Sequence, residues 1–420
     1  MTSVEEPRVT DFDVVIIGAG ISGITASYQM QTEIPNYSYT FREAHGALGG
    51  TWNLFRYPGI RSDSDLHTFG FLWRLWQKAN AIADGESIRV CVTMYRVIRL
   101  QRAIASPDPR IEELPWSKDP AQFWPGDLDY EGKKIVIIGS GATAITLIPN
   151  LADKAEKVSM LQRSPTYIVS LPQRDPTRDF IRKWFPASVA HRIWEQRLCL
   201  CPEGDFYKSL QSGKVNVVTD HISSVNAHSV TTDSGKTVDT NIIITVTGLR
   251  LQLAGGARLL VDGKPIDVSE RSLWKGVMLQ DLPNAAFVIR YTIALWTLGA
   301  DTTAKLVASA VARVAGSYMK PQNVLILSST YSVKAKGSLP RAGDRGPWKP
   351  RQSYLTNYPY MKYESLTTEL EFSARRKKAL QSICDVPITA TRSLELHTLT
   401  LTPYDYNDDE KGLEETSDLW

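Results

Sequence analysis

The hydrophobic and polar positions of the chain contain two copies of one pattern. The first begins with Val14-Val15-Ile16-Ile17 and passes through Gly18-Ala19-Gly20-Ile21-Ser22-Gly23 into a stretch from Ile24 to Gln31 with its apolar residues on one side. Tyr37-Ser38-Tyr39-Thr40-Phe41 then alternates with period two and ends at Arg42-Glu43. The second copy runs Ile135-Val136-Ile137-Ile138, then Gly139-Ser140-Gly141-Ala142-Thr143-Ala144, then a helical pattern to Leu151. A short strand from Val158 to Gln162 closes it and ends on Arg163-Ser164. Both copies read as strand, tight turn, helix, strand. Farther on, 215–218, 230–236 and 242–248 read as strands, and a helix buried by its alanines and valines is expected from about Thr302 to Tyr318. The basic run Arg375-Arg376-Lys377-Lys378 and the acidic end of the chain predict a solvated helix and a frayed terminus.

Glycines in such a turn let the backbone bend sharply and approach a pyrophosphate held at the helix N-terminus. The first copy has all three, Gly18, Gly20 and Gly23, and Glu43 stands where an acid hydrogen-bonds a ribose. The second has Gly139 and Gly141, with Ala144 in the third position, and Arg163 follows its second strand. A guanidinium there suits a 2′-phosphate and favours NADP over NAD. The plainer alternative is a glycine bend between packed elements. The strand before, the helix after and the charged residue at the right distance favour nucleotide binding. One acid and one cation make two non-equivalent dinucleotide sites, the pattern of a flavoprotein that takes hydride from a pyridine nucleotide. The expected fold class is α/β, with two Rossmann-like dinucleotide-binding domains, each three-layered.

Composition changes this picture little. The 420 residues are 43% hydrophobic and 22% charged, which is ordinary for a globular chain of two or three domains. A net charge of +3 offers no argument for nucleic acid or a membrane surface. The four cysteines, Cys91, Cys199, Cys201 and Cys384, form neither a CxxC pair nor a zinc set, so ordinary thiols and no metal are expected. The missing CxxC also argues against a flavoprotein disulfide reductase. Met1 to Thr10 is polar and acidic, unlike a signal peptide, and no apolar run approaches the ~20 residues needed to span a bilayer. A cytoplasmic location is the default expectation.

Leu48-Gly49-Gly50-Thr51-Trp52-Asn53 and Tyr57-Pro58-Gly59-Ile60-Arg61-Ser62-Asp63-Ser64-Asp65 follow the first unit. The paired glycines permit a close pass of backbone against a flat ligand that Trp52 can cover; a glycine turn with one core aromatic is the bland reading. Together with both glycine fingerprints, these stretches resemble the flavin-dependent Baeyer–Villiger monooxygenases, the class B flavoprotein monooxygenases, and among them the ethionamide-activating type. The shared blocks (RYPGIRSDSD, GSGATA and LQRSPTYIVS) occur in the family's order over most of the chain.

The resemblance implies FAD and NADP as cofactors, with O2 and a small apolar molecule as substrates. One oxygen would enter a ketone, or be placed on sulfur or nitrogen, in a role compatible with secondary metabolism. Gly18, Gly20, Gly23 and Glu43 would hold the adenosine diphosphate of FAD. Gly50, Thr51 and Trp52 would lie near the flavin, with Asp63 also there and facing the reaction centre. Gly139, Ser140, Gly141, Ala142, Thr143, Arg163 and Ser164 would bind NADP. Trp194-Glu195-Gln196-Arg197-Leu198 resembles the segment that carries an essential arginine, which makes Arg197 and Asp63 the implied catalytic residues. A guanidinium keeps its charge and donates in a fixed fork, so it can hold a developing oxyanion, and Asp63 would orient it. The implied domains are a shortened first part of the FAD domain at 10–126, an NADP domain at 127–248, a return of the FAD domain at 249–350, and a C-terminal extension at 351–420. The FAD domain is therefore discontinuous in sequence.

Departures from the family pattern are local. Before Trp124-Pro125 the histidine position holds Pro120, and no suitable glycine precedes it. Residues 91–119 and 186–191 are contracted relative to the family. These gaps keep open a degenerate member, acting as an uncoupled NADPH oxidase or a silent nucleotide-binding protein.

Overall fold

Each glycine pattern forms a parallel β–α–β unit. The computed structural model describes residues 12–63, 65–71, 73–99, 124–174, 184, 199–249, 251, 253, 258–261, 263–280, 282–289, 296–309, 322–323, 338–344, 346–363 and 399–402. In the first unit Val14–Ile17 (β1) leads through the turn into Ile21–Glu33 (α1) and on to Tyr39–Arg42 (β2). The two strands pair in parallel with Ile16 opposite Phe41. Helix α1 begins three residues before the apolar stripe predicts, because Gly20, in an extended conformation, serves as its N-cap. A Cβ at Gly23 would run into the carbonyl of Gly18, so only glycine lets the helix lie this close to the strand. Ile16, Ala19 and Phe41 form a small core beneath it. Among the described residues this sheet has two strands, and Val15 and Ile17 on the opposite face of β1 are 51% and 43% exposed.

Among the described residues Thr51–Leu54 (α2), Leu66–Phe69 (α3) and Gly85–Arg99 (α4) follow. The second unit then contains Lys134–Ile138 (β3), Ala142–Ala152 (α5) and Lys157–Gln162 (β4). Ile168–Leu171 (β5) and Cys199–Pro202 (β6) form a separate parallel pair, after which come Asp205–Gln211 (α6) and Val215–Thr219 (β7). Ile222–Val225 (β8), Ser229–Thr232 (β9) and Thr237–Asp239 (β10) make an antiparallel meander, and Ile242–Thr245 (β11) completes the main sheet. That sheet is parallel throughout, in the order β11-β3-β4-β7. The central runs of β3 and β11 are unbroken apolar stretches because both faces of the sheet are covered. Ile135, Ile137, Val158 and Met160 pack with Ile145, Ile148 and Leu151 of α5 and Phe206 of α6. Val136, Leu161 and Val218 meet Val230 and Val238 of the meander on the other side. The architecture is α/β with three layers, as expected.

Residues beyond β11 return to the first unit. Trp296–Ser309 (α7) packs along α1, and Gln29 Nε2 donates to Asp301 Oδ1 at 2.5 Å between two buried side chains. This helix starts at Trp296, earlier than the expected Thr302, and the rest of the predicted helix to Tyr318 lies outside the described residues. A further core gathers Trp274, Val277, Leu306, Trp348 and Met361, the last from Tyr354–Tyr363 (α8). The basic run 375–378 and the acidic end of the chain, expected as a solvated helix and a frayed terminus, lie outside the described residues. Between them Leu399–Thr402 is a strand paired antiparallel with Arg258–Val261, and Leu399-Thr400-Leu401-Thr402 alternates with period two. No helix among the described residues is long and apolar enough to cross a membrane.

Candidate active site

The first turn is built by backbone approach. Gly18 has φ +90°, and its N–H donates to the carbonyl of Arg42 at 2.7 Å, which ties the end of β1 to β2. Glu43 stands one residue past β2 and bends back onto the turn. Its Oε2 accepts the Ala19 N–H at 2.6 Å and its Oε1 accepts the His45 N–H at 3.1 Å. The carboxylate thus sits at the mouth of the glycine loop, where a ribose would compete for the same lone pairs. Gly49 and Gly50 pack against the same turn. Gly49 N–H donates to Ala19 O at 3.0 Å, and a Cβ at Gly50 (φ +53°) would lie 3.0 Å from the Cα of Gly20. They buttress the turn from behind. Thr51 is exposed at the start of α2, whereas Trp52 packs against the cluster of Ile24, Trp76 and Ile88, a core role. Trp296, at the start of α7, donates its indole N–H to Ser22 Oγ in the same turn at 2.5 Å. Bare backbone at Gly18 and Gly20, beside an acid and with Gly23 letting α1 lie close, fits the adenosine diphosphate of a flavin dinucleotide.

The second turn repeats the construction with opposite charge. Gly139 has φ +124° and donates to Leu161 O at 2.8 Å; a Cβ there would stand 2.5 Å from the carbonyl oxygen of Val246. Ser140 Oγ donates to Ser164 O at 3.2 Å and lies 3.0 Å from Thr166 Oγ1. The turn and the Arg163-Ser164 stretch therefore form one rim, with Arg163 exposed on it. Gly141 is open to solvent, and Ala142 begins α5. An exposed cation beside bare backbone fits a 2′-phosphorylated dinucleotide.

The stretch after α2 lies against the second unit. Phe55, Tyr57 and Ile60 join the core under α5, and Gly59 (φ +73°) is pressed against the Asn150 amide. The Tyr57 hydroxyl meets the Thr143 side chain in the second turn. Burial pushes the phenol up to about 12, against the opposing effect of that hydrogen bond. Arg61 forms a forked ion pair with Asp205 at the start of α6. Asp205 also accepts the Cys201 S–H at 2.9 Å and the Phe206 N–H at 2.8 Å. Ala81 N–H adds a bond to Gln173 O at 3.0 Å. Sequence reasoning missed Tyr57, Arg61 and Asp205, because a pattern of residues does not say which unit a loop lies on. Asp63 is exposed two residues beyond Arg61, and Arg197 lies outside the described residues. Among the described residues no cluster of three or more metal-ligating side chains occurs.

Comparison with known proteins points the same way. Residues 16–79, spanning the first turn, Glu43 and Asp63, match the family described as NAD(P)-binding Rossmann-like domain. The FAD-containing monooxygenase EthA of Mycobacterium tuberculosis is 34% identical over 478 positions, covering 86% of this chain and 98% of that protein. The alignment is longer than this chain, so the relative carries segments that are lacking here. A probable FAD-binding monooxygenase, AlmA of Acinetobacter baylyi, is 32% identical over 83% of this chain and 93% of its own length. Among solved structures, a cyclohexanone-bound cyclohexanone monooxygenase shares the fold with a TM-score of 0.53 at 18% identity, over 71% of this chain and 86% of that one. OTEMO in complex with FAD and NADP gives a TM-score of 0.51 at 17% identity, over 72% and 84%.

Proposed function

Because the chain belongs to the class B flavoprotein monooxygenases, the Baeyer–Villiger family, we propose that it is an FAD- and NADPH-dependent enzyme that transfers one oxygen of O2 to a small apolar substrate. The acceptor is a ketone, or a sulfur or nitrogen centre. The observation that carries this reading is the opposed chemistry of the two turns. Glu43 sits on the Ala19 amide at one, and Arg163 stands exposed beside Ser140 at the other. Bound FAD supplies the redox and oxygen-activating chemistry that no side chain has. The protein binds and orients. Backbone at Gly18 and Gly20 admits the pyrophosphate, Glu43 takes the ribose hydroxyls, and Arg163 pairs with the 2′-phosphate of the hydride donor. Arg197 is assigned to hold the negative charge that develops on the substrate oxygen, and Asp63 to orient and balance that guanidinium.

The test is optical and then analytical. Purified protein loaded with FAD should be yellow, bleach on NADPH under nitrogen and recover its colour in air. With a panel of ketones and thioethers, oxygenated product should account for most of the NADPH consumed. Hydrogen peroxide alone across the panel would sink the monooxygenase reading and leave an NADPH oxidase.

A further inference from the structure

The ion pair between Arg61 and Asp205 is built unlike a surface contact. Its side chains are 11% and 28% exposed, and it joins the loop after α2, which follows the first unit, to the start of α6, which packs with the second. Asp205 is held before Arg61 reaches it, since its Oδ1 already accepts the Cys201 S–H and the Phe206 N–H. A preformed acceptor and a forked donor lose little further freedom on pairing, which separates this contact from exposed pairs of long side chains. Around it, Tyr57 is sunk in the core of the second unit and Gly59 rests on Asn150. Asp63 is two residues farther along the same loop.

We propose that Arg61 and Asp205 are positioning residues for hydride transfer: they lock the Asp63-bearing loop of the flavin-side unit onto the nucleotide-side unit and so set the distance between the two bound cofactors. The inference rests on the assignment of FAD to the first turn and NADPH to the second. In the step concerned, hydride leaves NADPH to give NADP+ and is accepted by FAD, so no other reactant is required. The pair is placed to act on the rate of that step and not on either affinity, because neither side chain belongs to a glycine turn.

The test uses the FAD-loaded full chain as wild type, Arg61→Gln, Asp205→Asn, the double variant and Arg61→Lys. Flavin bleaching by saturating NADPH is followed anaerobically by stopped flow, with FAD content and NADP+ affinity titrated in parallel. Each neutral variant should bleach roughly ten- to a hundredfold more slowly, as expected for a small misplacement of reactants, with FAD content and NADP+ affinity unchanged. The double variant should be no slower than the slower single, because the two residues act as one unit. Arg61→Lys, which keeps the charge and loses the fork, should fall between, and it decides the matter if the neutral variants do not fold. Bleaching at the wild-type rate in Arg61→Lys and every folded variant overturns the inference alone. So do multiplicative losses in the double variant, or losses confined to cofactor affinity. Wild-type holoenzyme that NADPH does not bleach overturns the cofactor assignment and this inference with it.

Discussion

At the scale of single residues, under the proposed function Glu43 and Arg163 divide the work of telling two dinucleotides apart. Glu43 is engaged with the Ala19 amide, so binding a ribose exchanges one set of hydrogen bonds for another. Glu43→Gln keeps the shape but weakens the acceptor, and purified protein should carry less FAD, read as a lower flavin-to-protein absorbance ratio. Arg163 is exposed on the rim beside Ser164. Its replacement by alanine should raise KM for NADPH about 10- to 150-fold, the equivalent of losing ~1.5–3 kcal/mol of charge-assisted bonding, and leave NADH little changed. Equal losses with both nucleotides would show that Arg163 does not meet the 2′-phosphate. Both residues are readable from sequence because each stands at a fixed distance after a glycine turn. Arg61 and Asp205 are not, since they are far apart in the chain and share no periodicity.

At the scale of elements, the glycine turns set how closely helix and strand can approach. Gly23 touches Gly18 across the start of α1, where the backbone cannot yield without moving the helix. Gly23→Ala should cost ~1–3 kcal/mol or more by overpacking, seen as a lower urea midpoint in protein freed of cofactor. A midpoint equal to wild type would mean that α1 has room the structure does not show. The strands and helices of the second unit follow the apolar periodicity closely, because two-sided burial of β3 and its neighbour β11 writes itself into unbroken runs. Periodicity says nothing of partners. It therefore missed the pairing of Leu399–Thr402 with Arg258–Val261 and the contact of Gly50 with Gly20.

At the scale of the molecule, the seam between the units carries two groups whose ionisation folding opposes. Burial raises the Tyr57 phenol from 10.0 to about 12, and burial first and Asp205 second raise the Cys201 thiol from 9.0 to about 11. A group whose folded value is raised stabilises fully below its unfolded value and loses that contribution as pH rises through the folded one. Stability should thus decline from about pH 9, and Tyr57 should account for ~3 kcal/mol of loss between about pH 10 and 12. Tyr57→Phe should remove that part, which urea titrations of both proteins at pH 9 and 11.5 would reveal; parallel losses would contradict it. The same tyrosine has a consequence for synthesis. It belongs to a core whose last strand ends at Thr245, so with Phe55 and Ile60 it leaves the ribosome before the other members of that core. At roughly 5–20 residues per second, Phe55, Tyr57 and Ile60 wait on the order of ten to forty seconds for the sheet they will lie on. The nascent chain therefore shows chaperones a sticky N-terminal segment whose burial must come after translation of the second unit.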